Sequence, residues 1–106
     1  NLIITEPLGY LDFLKLVSNA RYVLTDSGGI QEETTYLQIP CLTLRENTER
    51  PVTSEIGTNE ICGLNEKIIL NCIKKIESGK FKRGRIPKLW DGNASKRIVS
   101  ILRKNI

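Results

Sequence analysis

Short apolar runs alternate along the chain with stretches in which apolar residues recur at helical spacing. Leu2–Thr5 is the first run and reads as a strand, broken by Pro7 and Gly9. Over Tyr10–Asn19, Leu11, Leu14 and Val17, joined by Phe13 and Leu16, mark one face of a helix. Tyr22–Thr25 predicts a second strand, Asp26–Gly29 a tight turn, and Ile30–Leu37 a short helix closed by Pro40. Cys41–Leu44 reads as a third strand and Arg45–Thr53 as a polar loop containing Pro51. Asn59–Cys62 is a fourth short strand candidate, closed by Gly63. Asn65 is placed to cap a helix running to about Ser78, with a stripe of Ile68, Ile69, Cys72, Ile73 and Ile76, and Gly79 stops it. A basic loop over 80–90, with Pro87, leads to a last helix capped by Asp91 or Asn93 and carrying Ala94, Ile98, Ile101 and Leu102.

Strand–helix–strand order with short helices implies an α/β domain: a Rossmann-like parallel sheet flanked by helices on both faces. Residues 1–63 hold the strand–helix units with the expected ligand site, and residues 64–106 the C-terminal helices. Sheets of this kind usually have about five or six strands, so one or two further units are expected upstream. The absence of Met, with an opening on Asn1 directly before an apolar run, is in keeping with a cut inside a domain.

Composition narrows the chemistry. The 106 residues are 40% hydrophobic and 26% charged, which fits one globular core rather than disorder. No apolar run approaches the roughly 20 residues of a membrane span, and no signal-peptide pattern opens the chain. There is no His, which removes the commonest general acid/base and zinc ligand. Cys41, Cys62 and Cys72 have no zinc spacing and lie in apolar stretches, so buried reduced thiols of a cytoplasmic protein are expected and no metal. Residues up to Ile73 carry five basic and ten acidic side chains, and the remainder eleven basic and two acidic. The basic stretch Lys80–Lys88 has only Phe81 as an aromatic, so a solvated face is expected there rather than nucleic-acid or membrane binding.

The turn Asp26-Ser27-Gly28-Gly29 falls after a strand and before a helix, where a parallel sheet binds its ligands. Paired glycines allow unusual φ and close approach to the backbone. The free N–H groups of the helix start suit a diphosphate, to which Ser27 can add a hydroxyl. A plain N-cap with a turn would also explain Ser27 and the glycines. The pattern is neither G-x-G-x-x-G nor a P-loop, so no nicotinamide or ATP is implied. Glu32 and Glu33 follow, in a place where acids also complement a helix dipole. Glu33, a helical turn beyond the phosphates, is the better candidate to accept hydrogen bonds from two vicinal ribose hydroxyls. In the loop Arg45–Pro51, Arg50, held by Pro51, is preferred over Arg45 as the cation for a diphosphate.

The segments TDSGGIQEE, LQIPCLTLRENTERP and GTNEICG, with the opening PLGYLDFLKL and the ending PKLWDGNASKRIVSIL, closely resemble the C-terminal half of non-hydrolysing UDP-N-acetylglucosamine 2-epimerases. The resemblance runs through nearly the whole chain. It implies the C-terminal part of a two-domain GT-B-type fold whose N-terminal domain is absent here. The implied parent is a cytoplasmic homodimer of cell-surface polysaccharide synthesis that interconverts UDP-GlcNAc and UDP-ManNAc. It does so by eliminating UDP and adding it back, without metal or nicotinamide. The resemblance places Ser27, Gly28 and Gly29 on the diphosphate, Glu33 on the ribose, Arg50 near the phosphates and Phe13 by the uracil. Phe13 rests on the resemblance alone and also fits a core position of its helix. The family's catalytic carboxylates belong to the N-terminal domain, so no catalytic residue is assigned here. The chain departs from the pattern in Thr34 and Thr35, where a small residue is usual, and in Gln38, where Gly is frequent. Alternatives are a stand-alone UDP-sugar-binding or interaction module, or a relative of the hydrolysing 2-epimerases, which lack the intact TDSGGIQEE pattern.

Overall fold

A computed structural model describes residues 1–106. In chain order the elements are α1 (Tyr10–Ser18), β1 (Val23–Thr25), α2 (Gly28–Leu37), β2 (Cys41–Thr43), α3 (Pro51–Glu55), β3 (Asn59–Ile61), α4 (Glu66–Glu77) and α5 (Ala94–Asn105). The strands form a parallel sheet in the order β1-β2-β3, with Leu24 beside Leu42 and Leu42 beside Glu60. All three residues of the central strand β2 are buried, as expected of a parallel strand covered on both faces. Side chains alternate across a strand, so Leu42 and Cys62 share one face while Cys41, Thr43 and Asn59 share the other. Leu42, Cys62 and Cys72 make the centre of the first face, lined by Ile69, Ile73, Ile76 and Phe81. The second face is polar to an unusual degree, and it bears on the site described below.

Helix α4 keeps to the expected boundaries. The Asn65 side chain accepts the Ile68 N–H at 3.1 Å, and Gly79, at φ +74°, takes the chain out of the helix. Helix α5 begins after Asn93, whose side chain makes no cap. Asp91 instead accepts the Asn93 N–H and grips Arg97 at 3.0 Å. No residue of α5 is buried, and its apolar stripe of Ile98, Ile101 and Leu102 lies exposed. No helix is long and apolar enough to cross a membrane.

Three expectations are corrected. Leu2–Thr5 is not a strand: no strand pairs with it, and Leu2, Ile3 and Ile4 are exposed. Apolar content alone does not make a strand without a ladder partner. The loop read over Arg45–Thr53 turns helical at Pro51, since proline fits the first helical position, where its missing N–H is no loss. Helix α2 starts at Gly28 rather than Ile30, because Ser27 is its N-cap.

The segment after α4 runs back along the outer edge of β3. The Lys82 ammonium donates to the Ser54 carbonyl at 2.8 Å and to the Asn59 carbonyl, and pairs with Glu60 at 3.4 Å. The Arg85 N–H donates to Ile56 O at 2.7 Å. Between them Gly84 lies directly on the Gly57–Thr58 peptide: a Cβ there would fall 2.3 Å from the Gly57 carbonyl carbon. Gly57 is equally crowded, with Thr35 Oγ1 only 2.4 Å from where its own Cβ would stand.

Candidate functional site

The start of α2 is the best-formed anchor for an anion. Ser27, in extended conformation, accepts the Ile30 N–H at 3.5 Å on its hydroxyl and receives the Gln31 N–H on its carbonyl. Its own N–H is held by Thr25 Oγ1 at 3.0 Å. The N–H groups of Gly28 and Gly29 find no acceptor in the protein. These are the helix-start donors that a phosphate or carboxylate accepts from, supplemented by the partial positive charge of the helix end. Accepting from Ile30 leaves the Ser27 hydroxyl proton free to donate.

Of the two properties expected of the glycines, unusual φ is not used. Neither Gly28 nor Gly29 uses the left-handed region, since both already belong to the helix. Their contribution is the missing Cβ. A Cβ on Gly28 would stand 3.8 Å from Arg50 Cγ and 3.9 Å from Arg50 Cζ, and one on Gly29 would stand 3.9 Å from the Ser27 hydroxyl. These distances are ordinary van der Waals contact, so the protein itself would accept a Cβ at either position, and the glycines keep the peptide open to a ligand rather than to Arg50.

Arg50 is the residue before α3, half exposed, with its guanidinium turned toward α2. Its Nε donates to Glu32 Oε1 at 2.8 Å and its Nη1 to Glu49 O at 3.3 Å, while Nη2 has no hydrogen bond. The hydrogen bond and charge of Glu32 push the Arg50 pKa above its ordinary value, so the group is a permanent cation. Glu32 thus holds the arginine, a role that the sequence reading did not assign to it.

Glu33 lies one residue on and opens into a separate cleft of about 400 Å³. Tyr10 and Leu14 of α1, Tyr36 and Leu37 of α2, and Trp90 line it together with both glutamates. Phe13 is not among them. It is half buried and lines a second cleft of about 310 Å³ together with Leu16, Val17, Tyr22, Thr25 and Ile30. The structure therefore brings Ser27, Gly28, Gly29 and Arg50 together and puts Glu33 on the same helix. Phe13 faces a different cleft, whose lining includes Thr25 and Ile30 on either side of the same turn. No signal in the sequence pointed to Trp90 beside Glu33, because a loop residue 57 positions away carries no periodicity with it.

The buried polar residues Gln31, Thr43, Thr53 and Asn59 were also absent from the sequence reading. Asn59 inside a strand was the one available hint, since a buried amide needs partners. The three thiols lie buried and free, as expected, with Cys62 Sγ 3.9 Å from Cys72 Sγ. Burial and the neighbouring sulfur push the Cys62 thiol up to about 12.

Comparison with known proteins bears on these observations. A sequence-family profile described as UDP-N-acetylglucosamine 2-epimerase matches residues 1–103. A UDP-N-acetylglucosamine 2-epimerase of Methanococcus maripaludis is 48% identical over 99 residues, 93% of this chain and 26% of the relative. The enzyme of that name from Bacillus subtilis is 40% identical over 102 residues, covering 92% of this chain and 27% of its own length. The crystal structure of Methanocaldococcus jannaschii UDP-GlcNAc 2-epimerase in complex with UDP-GlcNAc and UDP superposes with a TM-score of 0.79 at 43% identity. That match covers 94% of this chain and 27% of the other. The chain thus spans about a quarter of the length of the relatives it matches.

Proposed function

The chain belongs to the UDP-N-acetylglucosamine 2-epimerase family, and from that premise we propose that it forms the UDP-holding part of an enzyme interconverting UDP-GlcNAc and UDP-ManNAc. The observation that carries this reading is the meeting of two unpartnered helix-start N–H groups with a permanent cation. Arg50 lies across Gly28, and the Gly28 and Gly29 N–H groups face no protein acceptor. A diphosphate supplies acceptors for those two N–H groups and for the Arg50 Nη2 that Glu32 and Glu49 leave free. Glu33, further along α2, accepts from the ribose hydroxyls.

Epimerisation by elimination and re-addition requires the nucleotide to stay bound while the sugar is detached. Developing charge on the departing diphosphate is stabilised by donors already aimed at it, without reorganisation at the moment of bond cleavage. This chain has no His, the commonest general acid/base. On the family resemblance, proton transfer at the sugar is assigned to carboxylates outside these 106 residues, and the chain by itself is expected to give no turnover.

The test is calorimetric titration of UDP into the protein at the length its gene encodes. Arg50→Ala and Glu33→Ala are each expected to weaken UDP several-fold, with conversion of UDP-GlcNAc measured in parallel. Wild-type affinity in both variants refutes the site. UDP binding without any conversion supports a binding module in place of an enzyme.

A further inference from the structure

Beneath Arg50, polar side chains from four elements and a loop are joined into one buried cluster. Gln31 of α2 is 1% exposed, and Thr43 of β2, Thr53 of α3 and Asn59 of β3 are fully buried. The Asn59 amide donates at 3.1 Å to both Gln31 Oε1 and Thr53 Oγ1, and its carbonyl accepts from the Thr43 hydroxyl. Thr48, half buried in the loop, donates to the same Gln31 oxygen at 2.6 Å. The two outer hydroxyls then take hold of the Arg50 main chain. Thr48 Oγ1 accepts the Arg50 N–H at 2.9 Å, and the Thr53 hydroxyl donates to the Arg50 carbonyl at 2.7 Å. Both backbone polar groups of Arg50 are thereby tied to a glutamine four residues after Ser27, the N–H through Thr48 and the carbonyl through Thr53 and Asn59.

Packing alone does not call for such a cluster. Apolar residues of the same volume would fill the space without the cost of desolvating two amides and three hydroxyls. A satisfied polar network does something an apolar core does less well, which is to fix one geometry. Here the geometry fixed is the offset between the start of α2 and the Cα of Arg50. Glu32, the residue after Gln31, holds the other end of the same arginine at Nε. The side chain is pinned at its root and near its head, which leaves Nη2 free.

We propose that Gln31, Thr48 and Asn59 are positioning residues that set Arg50 against the Gly28–Gly29 amides before nucleotide arrives. The proposal rests on the reading of that turn as the diphosphate site. Its energetic content is preorganisation: the entropy of placing a long cationic side chain is spent on folding and not on binding. The three residues act through Arg50, and the role requires no contact of their own with the nucleotide.

Thr48→Val tests this, because it keeps the shape and deletes the hydroxyl that joins Gln31 to the Arg50 N–H. UDP affinity is measured by calorimetry in the gene-length protein for the wild type, Thr48→Val, Thr48→Ser, Arg50→Ala and the Thr48→Val/Arg50→Ala double variant. Thr48→Val is expected to bind UDP about fivefold more weakly, the net worth of one hydrogen bond, and Thr48→Ser to restore the wild-type value. In the Arg50→Ala background Thr48→Val is expected to change affinity by less than about twofold, since no arginine is left to position. Gln31→Met, which removes the shared acceptor, runs through the same cycle as a second variant should the first fail to fold. Wild-type affinity in Thr48→Val, or an equal loss with and without Arg50, overturns the proposal while leaving the diphosphate site intact. Wild-type affinity in Arg50→Ala overturns the site itself and the proposal with it.

Discussion

Replacing Gly84 by Ala is expected to destabilise the fold strongly through one added methyl. The new Cβ would lie 2.3 Å from the Gly57 carbonyl carbon, 2.4 Å from its oxygen and 2.5 Å from the Thr58 nitrogen. All three are backbone atoms, so no side-chain rotation relieves the clash. Ordinary carbon contact is about 3.5 Å, so the strap around Gly84 must lift by roughly 1 Å. Lifting it breaks the 2.7 Å bond from the Arg85 N–H to Ile56 O and loosens Lys82 on the Ser54 and Asn59 carbonyls. Overpacking costs about 1–3 kcal/mol and the lost backbone bond about 1 kcal/mol, so a loss near 3 kcal/mol is expected. That is a large share of the roughly 5–15 kcal/mol by which a domain is stable. Urea unfolding of Gly84→Ala and of a control, Gly79→Ala, provides the assay. Gly79 has φ +74° and open space around it, so its substitution costs only the left-handed strain, about 1 kcal/mol. If Gly84→Ala is no less stable than Gly79→Ala, the reading of the strap as a close backbone crossing is wrong.

Two further substitution effects follow from individual side chains. Gln38 caps α2 at φ +61°, a conformation that costs a non-glycine residue about 1–2 kcal/mol. Its amide recovers part of that through a 2.7 Å bond to Thr35 O, worth about 0.5–1 kcal/mol. Gln38→Gly is therefore expected to raise stability by roughly 0.5 kcal/mol in a urea titration, and a loss would mean that the amide bond dominates. The thiols predict alkaline sensitivity. Cys62 is pushed up to about 12, and Cys41 is raised chiefly by burial, whereas an unfolded thiol ionises near about 8.5. The unfolded chain releases these protons first, so their contribution is whole below that pH and is lost as pH climbs toward 12. Unfolding midpoints measured from pH 7 upward should fall in this window and fall less in Cys62→Ala.

Local patterns carried the middle of the fold. The spacing of Ile69, Cys72, Ile73 and Ile76 places α4 on the sheet, and Asn65 caps it through a bond within reach of a three-residue pattern. Strands β1 and β2 and the turn between them were legible for the same reason. Leu2–Thr5 was misread because pairing is a property of two segments and not of one. At the Ser27–Gly29 turn the expected freedom of φ is not used, and the close approach to the backbone that a missing Cβ permits is what remains of that expectation. The cluster around Gln31 was invisible since Gln31 and Asn59 are 28 residues apart, and each alone reads as an ordinary polar residue. Gln38 is the instructive intermediate. The departure from Gly was visible in the sequence, but its strain emerges only with the backbone angle.

The strap over β3 gives the sheet a direction in which it can grow. Lys82 occupies the outward Asn59 carbonyl, and the chain around Gly84 fills the space beside Gly57 and Thr58. No strand from any polypeptide can add there without displacing it. The opposite border, β1, has no strand against it, and Leu24 is 44% exposed on it. Any extension of the sheet, whether by the same polypeptide or by an unwanted neighbour, has one available border. The strap therefore acts as a terminator for lateral assembly, which confines the hazard of edge-to-edge aggregation to the side of the sheet that bears β1.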